Sequence, residues 1–304
     1  MNYYLGIDGG GTKTKVCIMT ENEEILVFFE DGPSSIDTVK LDVTDRNIRI
    51  PTMRWIESLS VPFRFKAVFA GIGGIVTEED SFKVESILRT LPGVDEQTKV
   101  KASNDTRNAL ASGLCFSEGV ALIVGTGSVA FGIDSFGKSH KSGGWGYKEG
   151  DAGSAYDLGI QAVRAMIRSY DGRADMNSFA NEIFKHLGMN KTEDVIGVLD
   201  DLWENRTKVA AIAPIVTKHA DLGNPHALDI VEHATNELTS MVRAVVSRLN
   251  LHEKRLVIIG GLGNAHGTFR TMLLEKIRLL DPSIQPISPL IDPALAACLL
   301  AKRL

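Results

Sequence analysis

Glycine-rich bends carry the clearest chemical signal in this chain, and the first is Asp8-Gly9-Gly10-Gly11-Thr12-Lys13-Thr14. Because glycine has no Cβ, the main chain of such a bend can approach a phosphate closely, and successive N–H groups can form a concave anion site. The carboxylate of Asp8 could hold Mg²⁺ there, directly or through water. The segment has neither the P-loop spacing nor a dinucleotide-binding motif, since it leads into a strand rather than a helix. A plain hairpin with a solvated aspartate is the alternative.

A second bend, Gly125-Thr126-Gly127-Ser128, follows another apolar run and repeats this chemistry. One such loop is a weak signal, but two loops at equivalent places of two similar units are much stronger. Two facing hairpins could grip the phosphate chain of a nucleotide from opposite sides of a cleft. The pair therefore predicts a nucleotide site.

Asp105 is the candidate catalytic residue. It lies in Ser103-Asn104-Asp105-Thr106, which follows a predicted strand and opens a predicted helix. An enzyme that phosphorylates an alcohol needs a carboxylate to orient and deprotonate the attacking hydroxyl, and in α/β folds ligands bind where strands end. A helix N-cap is the alternative role, because Asp and Asn are favoured there.

Two further glycine clusters are candidate ligand loops. In the cluster from Gly143 to Tyr156, Asp151 could accept hydrogen bonds from two sugar hydroxyls while Trp145 forms an apolar wall. Capping of the following helix is the alternative role of Asp151. Gly260-Gly261-Leu262-Gly263 joins a buried strand to a helix, which is typical of a site for a nucleotide base or ribose and equally of a plain connection.

The elements that must position these loops form two similar units. The first is predicted as βββαβαβα, with strands Tyr4–Ile7, Val16–Met19, Ile25–Phe29, Phe65–Ala70 and Val100–Ala102 and helices Thr38–Ser60, Glu78–Leu91 and Asn104–Ser112. The second restarts with strands Gly119–Val124, Val129–Ile133 and Ser139–Ser142, is helical from Gly153 to about Leu251, and adds strand Arg255–Ile259 and helices Phe269–Leu279 and Pro293–Leu304. We therefore expect domains at 1–114 and 115–304, with the closing helix, about 292–304, packing back on the first.

Composition excludes several classes of protein. The 304 residues include 33 Lys+Arg and 38 Asp+Glu, a formal charge of −5, which lacks the basic footprint of a nucleic-acid binder. A hydrophobic fraction of 44% excludes wholesale disorder. Three scattered cysteines cannot form a disulfide framework or a four-cysteine zinc site. No apolar run is long enough for a membrane span, and Asp8 leaves no room for a signal peptide, so we expect a soluble cytoplasmic enzyme acting on a small molecule.

Six motifs occur in order along the chain: Leu5 to Thr14, Asn104-Asp105, Gly125 to Ser128, Gly143 to Gly146, Gly150 to Ala155, and Gly260 to Gly263. Together they resemble the N-acetylglucosamine kinases of the BadF/BadG/BcrA/BcrD ATPase family, within the actin/hexokinase superfamily. The resemblance implies an α/β fold of two actin-like (ribonuclease H-like) domains, each a mixed five-stranded sheet with helices, and ATP in the cleft between them. It also implies Mg²⁺, domain closure on the sugar, and a homodimer.

The resemblance also implies roles for individual residues. Asp105 takes the position of the catalytic base, and Asp8 that of the Mg²⁺ ligand, directly or through water. ATP is expected at Asp8, Gly9, Gly10, Gly11, Thr12, Lys13, Thr126, Gly127, Gly260, Gly261 and Gly263. The sugar is expected at Ser35, Gly73, Gly74, Asp105, Thr126, Gly144, Trp145 and Asp151.

The predicted function is ATP-dependent phosphorylation of an amino sugar at its 6-hydroxyl, with N-acetylglucosamine first and N-acetylmuramic acid or glucosamine next. Two departures from the family bear on the sugar: the loop Gly32 to Asp37 lacks the usual Asn, and Ala152 stands where Glu is usual. Two other functions remain open. One is an ATPase that activates a CoA-ester reductase or dehydratase, which would hold an iron–sulfur cluster with two cysteines per chain. The other is a non-catalytic sugar sensor.

Overall fold

The computed structural model describes residues 2–57, 63–148, 150–189, 194–203 and 205–304. These residues divide into two units, Met1–Phe116 with Pro289–Leu304, and Ser117–Ser288. Among the described residues, no helix is both long and apolar enough to cross a membrane.

The first unit has the predicted order βββαβαβα. Its elements are β1 (Tyr3–Gly9), β2 (Thr14–Thr20), β3 (Ile25–Asp31), α1 (Leu41–Ile56), β4 (Phe65–Ile72), α2 (Glu78–Arg89), β5 (Lys99–Ser103) and α3 (Thr106–Ser112). The sheet order is β3-β2-β1-β4-β5; β1, β2 and β3 are antiparallel neighbours, whereas β4 and β5 run parallel to β1. Helix α1 continues through Pro51, and residues 58–60 of the predicted helix lie outside the described part of the chain.

The second unit repeats the sheet and adds helices. Its elements are β6 (Gly119–Val124), β7 (Ser128–Ile133), β8 (Ser139–Gly143), α4 (Ala155–Tyr170), α5 (Ser178–His186), α6 (Asp194–Trp203), α7 (Arg206–Ala210), α8 (Ala213–Asp221), α9 (Pro225–Val246), β9 (Arg255–Ile259), α10 (Gly261–Asn264), α11 (Thr268–Leu280) and β10 (Gln285–Ile287). The sheet order is β10-β9-β6-β7-β8. The short elements α10 and β10 were not predicted, and residues 190–193 and 204 of the predicted helical stretch lie outside the described part. Both units thus contain a mixed five-stranded sheet with helices, which confirms the predicted fold class.

Helix α12 (Pro293–Lys302) closes the chain and packs on the sheet of the first unit. Alternate residues of β1 enter two separate clusters: Leu5 and Ile7 contribute to one, and Tyr4 joins Cys298 of α12 in the other. Both faces of this sheet are therefore covered, as is typical of sheets with parallel strands. The packing requires glycine at position 6, because a Cβ there would overlap the carbonyl oxygen of Ala294 and the main-chain nitrogen of Cys298.

The strand register brings three loops of the first unit to one sheet edge. Asp8 pairs with Gly71 in the register of β1 and β4, and Gly71 pairs with Ser103 in the register of β4 and β5. Because these three strands are parallel, the segments that follow them emerge at the same edge. These segments contain the first glycine bend, Gly73-Gly74, and Asn104-Asp105.

Candidate active site

Main-chain hydrogen bonds fasten the loops of the first unit to one another. The N–H of Gly73 donates to the carbonyl of Gly9 at 2.8 Å, and the N–H of Ile36 donates to the carbonyl of Gly73 at 3.0 Å. The carbonyl of Gly10 accepts from the N–H groups of Ser34 and Ser35, each at 3.1 Å. The bend after β1, the loop after β3 and the turn after β4 therefore form one connected framework around the sheet edge.

Asp8 lies at the end of β1 and is held by a residue of α3. The side-chain amide of Asn108 donates to Asp8 Oδ1 at 2.9 Å. Burial raises the pKa of Asp8 to about 6, although the hydrogen bond from Asn108 lowers it; the charge of Asp292 adds to the rise, and the charges of Lys15 and Lys13 oppose it. Asp8 is therefore a carboxyl group in a fixed position, and a nearby cation would favour its ionised form.

Asp105 stands at the N-cap position of α3 but does not act as a cap. Its side chain makes no capping hydrogen bond; instead, Oδ1 of Asn104 accepts from the N–H of Thr106 at 3.1 Å. Asn104 therefore caps α3, while the N–H groups of Thr106 and of Asp105 itself still act to lower the pKa of the Asp105 carboxyl. Burial raises the pKa of Asp105 to about 7, and the negative charges of Asp8 and Asp37 act in the same direction. The residue as a whole retains some exposure, and its carboxyl is unusually basic.

Only part of the first glycine bend has free space beside its main chain. A Cβ on Gly9 would overlap the hydroxyl of Ser34, whereas on Gly10 it would find its nearest neighbour at 3.6 Å. Thr14 is fully buried, and its hydroxyl donates to the carbonyl of Gly32 at 2.7 Å, so it ties the base of the hairpin and does not face a ligand. The exposed side chain of Lys13 forms an ion pair with Glu30 at 3.0 Å.

The loop after β3 packs on the two glycines that follow β4. A Cβ on Gly73 would lie 2.5 Å from the hydroxyl of Ser35 and 3.4 Å from Oδ2 of Asp105. Gly74 has φ +83°, and a Cβ there would lie 2.6 Å from the main-chain nitrogen of Asp37. The buried hydroxyl of Ser35 donates to Oδ1 of Asp37. The structure therefore brings Ser35, Gly73 and Asp105 together, and it adds Asp37 to the predicted set.

The second bend supports the start of α4. The N–H of Gly125 donates to the carbonyl of Gly127 at 2.9 Å, and the carbonyls of Gly125 and Thr126 accept from the N–H groups of Ala155 and Tyr156. These are two of the N–H groups that a helix start leaves unpaired. A Cβ on Gly125 would meet nothing within 4 Å, so space is available on the outer side of this bend.

Asp151 is buried in an ion pair that sequence reasoning missed. It is 5% exposed, and Arg206 donates from Nη2 to its Oδ2 at 2.7 Å. A Cβ on Gly127 would overlap Arg206 Nη2 and would lie 2.8 Å from Asp151 Oδ2, so this ion pair lies against the second bend. Helix α4 is capped by the hydroxyl of Ser154, which accepts from the N–H of Asp157. The capping alternative for Asp151 is therefore wrong.

The remaining predicted residues of the second unit line accessible surface. Trp145 is 66% exposed, with Lys141 Nζ 4.4 Å from the centre of its ring, and Gly144 has φ +66° against Val129. A cavity of about 240 Å³ is lined by Asp151, Tyr147 and Tyr156, among other residues. The loop with Asp151 therefore borders both an aromatic cavity and the second bend.

In the turn after β9, one glycine is open and two are packed. A Cβ on Gly260, which has φ +107°, would overlap the main chain of Val124, and on Gly263 it would lie 3.1 Å from Ile258. A Cβ on Gly261 would meet nothing within 4 Å. The turn thus packs tightly on the sheet while Gly261 leaves the main chain accessible.

The predicted residues therefore fall into two groups, each assembled within one unit. The first group surrounds Asp8 and Asp105, and the second surrounds Thr126, Asp151 and the turn at Gly260. Sequence reasoning missed Asn108, Asp37 and Arg206. A signal was available only for Asn108, which lies three residues after Asp105 and so on the same face of the helix.

Two mixed five-stranded sheets, each with a glycine bend between its first two antiparallel strands, define an actin-like α/β protein. The sequence profile of the BadF/BadG/BcrA/BcrD ATPase family matches residues 5–301, and the chain belongs to this family. The resemblance seen in the sequence is thereby confirmed.

Individual relatives span the whole chain. An N-acetylmuramic acid/N-acetylglucosamine kinase from Clostridium acetobutylicum is 30% identical over an alignment of 305 positions that covers 99% of this chain and 99% of that protein. An N-acetyl-D-glucosamine kinase from Dictyostelium discoideum is 28% identical over 311 residues, with 98% and 97% covered. A solved structure from Chromobacterium violaceum, assigned as an N-acetylglucosamine kinase, superposes with a TM-score of 0.80 at 22% identity and 99% coverage of both chains, and shows the shared fold.

Proposed function

We propose that this sugar kinase transfers the γ-phosphate of ATP to the 6-hydroxyl of an amino sugar, with N-acetylglucosamine as the first substrate and N-acetylmuramic acid or glucosamine as related ones. The observation that carries the proposal is the environment of Asp105. Its carboxyl lies at the edge where parallel strands end, takes no part in capping its helix, and has its pKa raised to about 7 by burial. The names of the two full-length relatives, both amino-sugar kinases, support the substrate class.

Asp105 is the general base of the proposed reaction. A base works best when its pKa lies near the operating pH, because it is then ionised and still binds a proton well. Burial and the charges of Asp8 and Asp37 bring Asp105 into that range. Asn104 accepts the capping hydrogen bond from the N–H of Thr106, so this cap does not depend on the protonation state of Asp105.

The residues present fit Mg²⁺. Mg²⁺ prefers carboxylate oxygen and retained water, and Asp8 offers a carboxylate in a position fixed by Asn108. We propose that Asp8 holds the ion directly or through water. When bound, Mg²⁺ would neutralise charge on the phosphates of ATP.

The open glycines fit ATP. Main chain without a nearby side chain can approach phosphate closely, and this condition holds at Gly10, Gly125 and Gly261. We assign the phosphates to Gly10–Lys13 and to Thr126-Gly127, and the adenosine to the turn Gly260–Gly263. Gly9, Gly127, Gly260 and Gly263 serve this site indirectly, because each is packed against protein atoms.

We place the sugar at the loop of Gly144, Trp145 and Asp151 and at the turn of Ser35, Gly73 and Gly74. The carboxylate of Asp151 can accept hydrogen bonds from sugar hydroxyls while it remains ion-paired with Arg206. In the loop after β3, Ser35 and Asp37 supply a hydroxyl and a carboxylate where the family often supplies an amide. The substituent on the amino group is therefore the feature to vary first in substrate tests.

Sugar-dependent ADP release tests the proposal. N-acetylglucosamine, N-acetylmuramic acid, glucosamine, N-acetylmannosamine and glucose are compared side by side, and the phosphorylated carbon is identified by phosphorus and carbon NMR. We expect turnover with an amino sugar above that with glucose, a 6-phosphate product, and loss of turnover in Asp105→Asn. A wild-type protein that binds amino sugars without releasing ADP would instead be the sugar sensor.

The iron–sulfur alternative is disfavoured by the cysteines. Cys17, Cys115 and Cys298 are all buried, whereas a cluster shared between two chains needs thiolates at the surface. Iron analysis of the purified protein tests this directly. Because the reaction consumes ATP, we propose a cytoplasmic location, and we retain the homodimer as a proposal that light scattering can check.

A further inference from the structure

Asn108 is a buried polar residue that contacts the first candidate site from behind. It is 0% exposed and lies in α3, one helical turn after Asp105. Its Nδ2 donates to Asp8 Oδ1 at 2.9 Å and to the carbonyl of Ile7 at 3.0 Å, with the carbonyl of Gly71 at 3.5 Å. One amide nitrogen therefore faces three oxygens at the ends of β1 and β4.

The orientation of this amide is fixed by its surroundings. The opposite orientation would place Oδ1 against three acceptor oxygens, where it could make no hydrogen bond. In the observed orientation, Oδ1 is buried and has no hydrogen-bond partner among the described residues. An unpaired buried acceptor is unfavourable for folding, so Oδ1 gives no reason for an amide at this position. The benefit of the amide therefore lies in the oxygens to which Nδ2 donates, and Asp8 supplies the side-chain oxygen among them.

The neighbouring strand makes room for the amide. A Cβ on Gly71 would lie 2.6 Å from Oδ1 of Asn108 and closer still to Nδ2. Any larger residue at position 71 would push the amide away from Asp8. Three positions on three elements, Asp8 on β1, Gly71 on β4 and Asn108 on α3, thus depend on one another.

We infer that Asn108 is a positioning residue that holds the metal-binding carboxylate of Asp8 through Oδ1. The amide does not engage Oδ2, which stays available to a cation or its water. Since Asp105 and Asn108 lie three residues apart on one face of α3, the same helical turn places the base and fixes the metal carboxylate. This inference rests on the proposed function for the identity of the metal.

The test replaces the amide without adding charge. Asn108→Leu keeps the volume and removes the donor, and Asn108→Ala keeps the helix if leucine proves too large. Ser112→Ala is the matched control, because Ser112 is also buried in α3 and its hydroxyl donates only within that helix, to the carbonyl of Ala109. Binding of ATP is measured by calorimetry with Mg²⁺ and with EDTA, alongside kinetics and thermal unfolding.

Loss of a residue that orients a metal ligand typically weakens metal affinity or activity 10–100-fold. In the Asn108 variants we therefore expect the Mg²⁺ concentration that gives half the maximal rate to rise by about 10–100-fold. The increase in ATP affinity that Mg²⁺ produces should become smaller in these variants. The affinity for ATP in EDTA and the KM for the sugar should stay near their wild-type values. Unchanged Mg²⁺ dependence in folded Asn108→Leu or Asn108→Ala would overturn the inference. Absence of sugar-dependent turnover in wild type would refute the proposed function instead, and the calorimetry would still decide the role of Asn108.

Discussion

We expect kcat/KM to decline as the pH falls below about 7, because Asp105 becomes protonated. This decline is the acid limb of the pH profile. Activity needs the ionised carboxylate, and burial raises the pKa of this group to about 7. One ionisation with that pKa leaves about a tenth of the carboxyl ionised at pH 6 and about nine-tenths at pH 8. The rate constant should therefore fall about tenfold from its plateau to pH 6. A carboxyl with the ordinary pKa of 3.8 would give a flat profile there.

Two substitutions test whether Asp105 is the group that causes this acid limb. Asp105→Asn should lower kcat by roughly 10²–10⁴, the size of a general-base effect, and remove the limb. Asp37→Asn should move the limb to lower pH, because it removes a negative charge that raises the pKa of Asp105. Asp42→Asn is the control, since Asp42 is exposed in the first turn of the neighbouring helix α1 and does not contribute to that rise.

The assay must separate Asp105 from Asp8, whose pKa burial raises to about 6. Initial rates are therefore measured by direct detection of ADP, free of coupling enzymes, at low and saturating Mg²⁺. Rising Mg²⁺ should move either limb to lower pH, because the cation competes with the proton at Asp8 and offsets the Asp8 charge that raises the pKa of Asp105. Asp105→Asn therefore separates the two residues, since it removes a limb that belongs to Asp105 and keeps one that belongs to Asp8. A profile at low Mg²⁺ that is flat between pH 6 and 8, or a limb that survives in Asp105→Asn, would refute the assignment of Asp105 as base.

Three further substitutions test the packing and the second site. Gly6→Ala should destabilise the protein by about 1–3 kcal/mol, the usual cost of overpacking, because its Cβ would overlap α12; thermal unfolding measures this. Gly125→Ala should leave the melting temperature unchanged and raise KM for ATP, since the added methyl group enters open space where we place phosphate. Arg206→Met should raise KM for the sugar more than KM for ATP, with Arg206→Lys intermediate, because it removes the ion pair between Arg206 and the buried carboxylate of Asp151. Equal effects on both substrates would contradict that role.

The strands that carry the two bends were predictable because each is a buried apolar run ending in glycine. Strand β10 was not predictable, since Gln285–Ile287 is three residues long and contains a proline. Its strand character comes from parallel pairing with β9, a contact between distant parts of the chain. The residues of β10 alone do not show that this segment pairs with a distant strand.

The candidate site was likewise predictable from the sequence only in part. Asn104 and Asp105 are both good capping residues, so sequence alone could not tell which one caps α3; in the structure the capping hydrogen bond goes to Asn104. Asp151 faced a similar ambiguity, which the hydroxyl of Ser154 resolves. Its partner Arg206 lies 55 residues further along the chain, and no spacing rule connects residues so far apart.

The first turn of α3 shows how the carboxyl that we propose as the base has a raised pKa although it lies at a helix start. The positive end of a helix normally favours an ionised carboxylate and so lowers its pKa. At Asp105 burial outweighs that effect, aided by the charges of Asp8 and Asp37, and the pKa rises to about 7. Because Asp8 contributes to the rise, a cation bound to Asp8 must lower the pKa of Asp105. The proposed roles therefore couple metal occupancy to base strength through one helical turn, in which Asn104 caps, Asp105 is the proposed base and Asn108 holds Asp8.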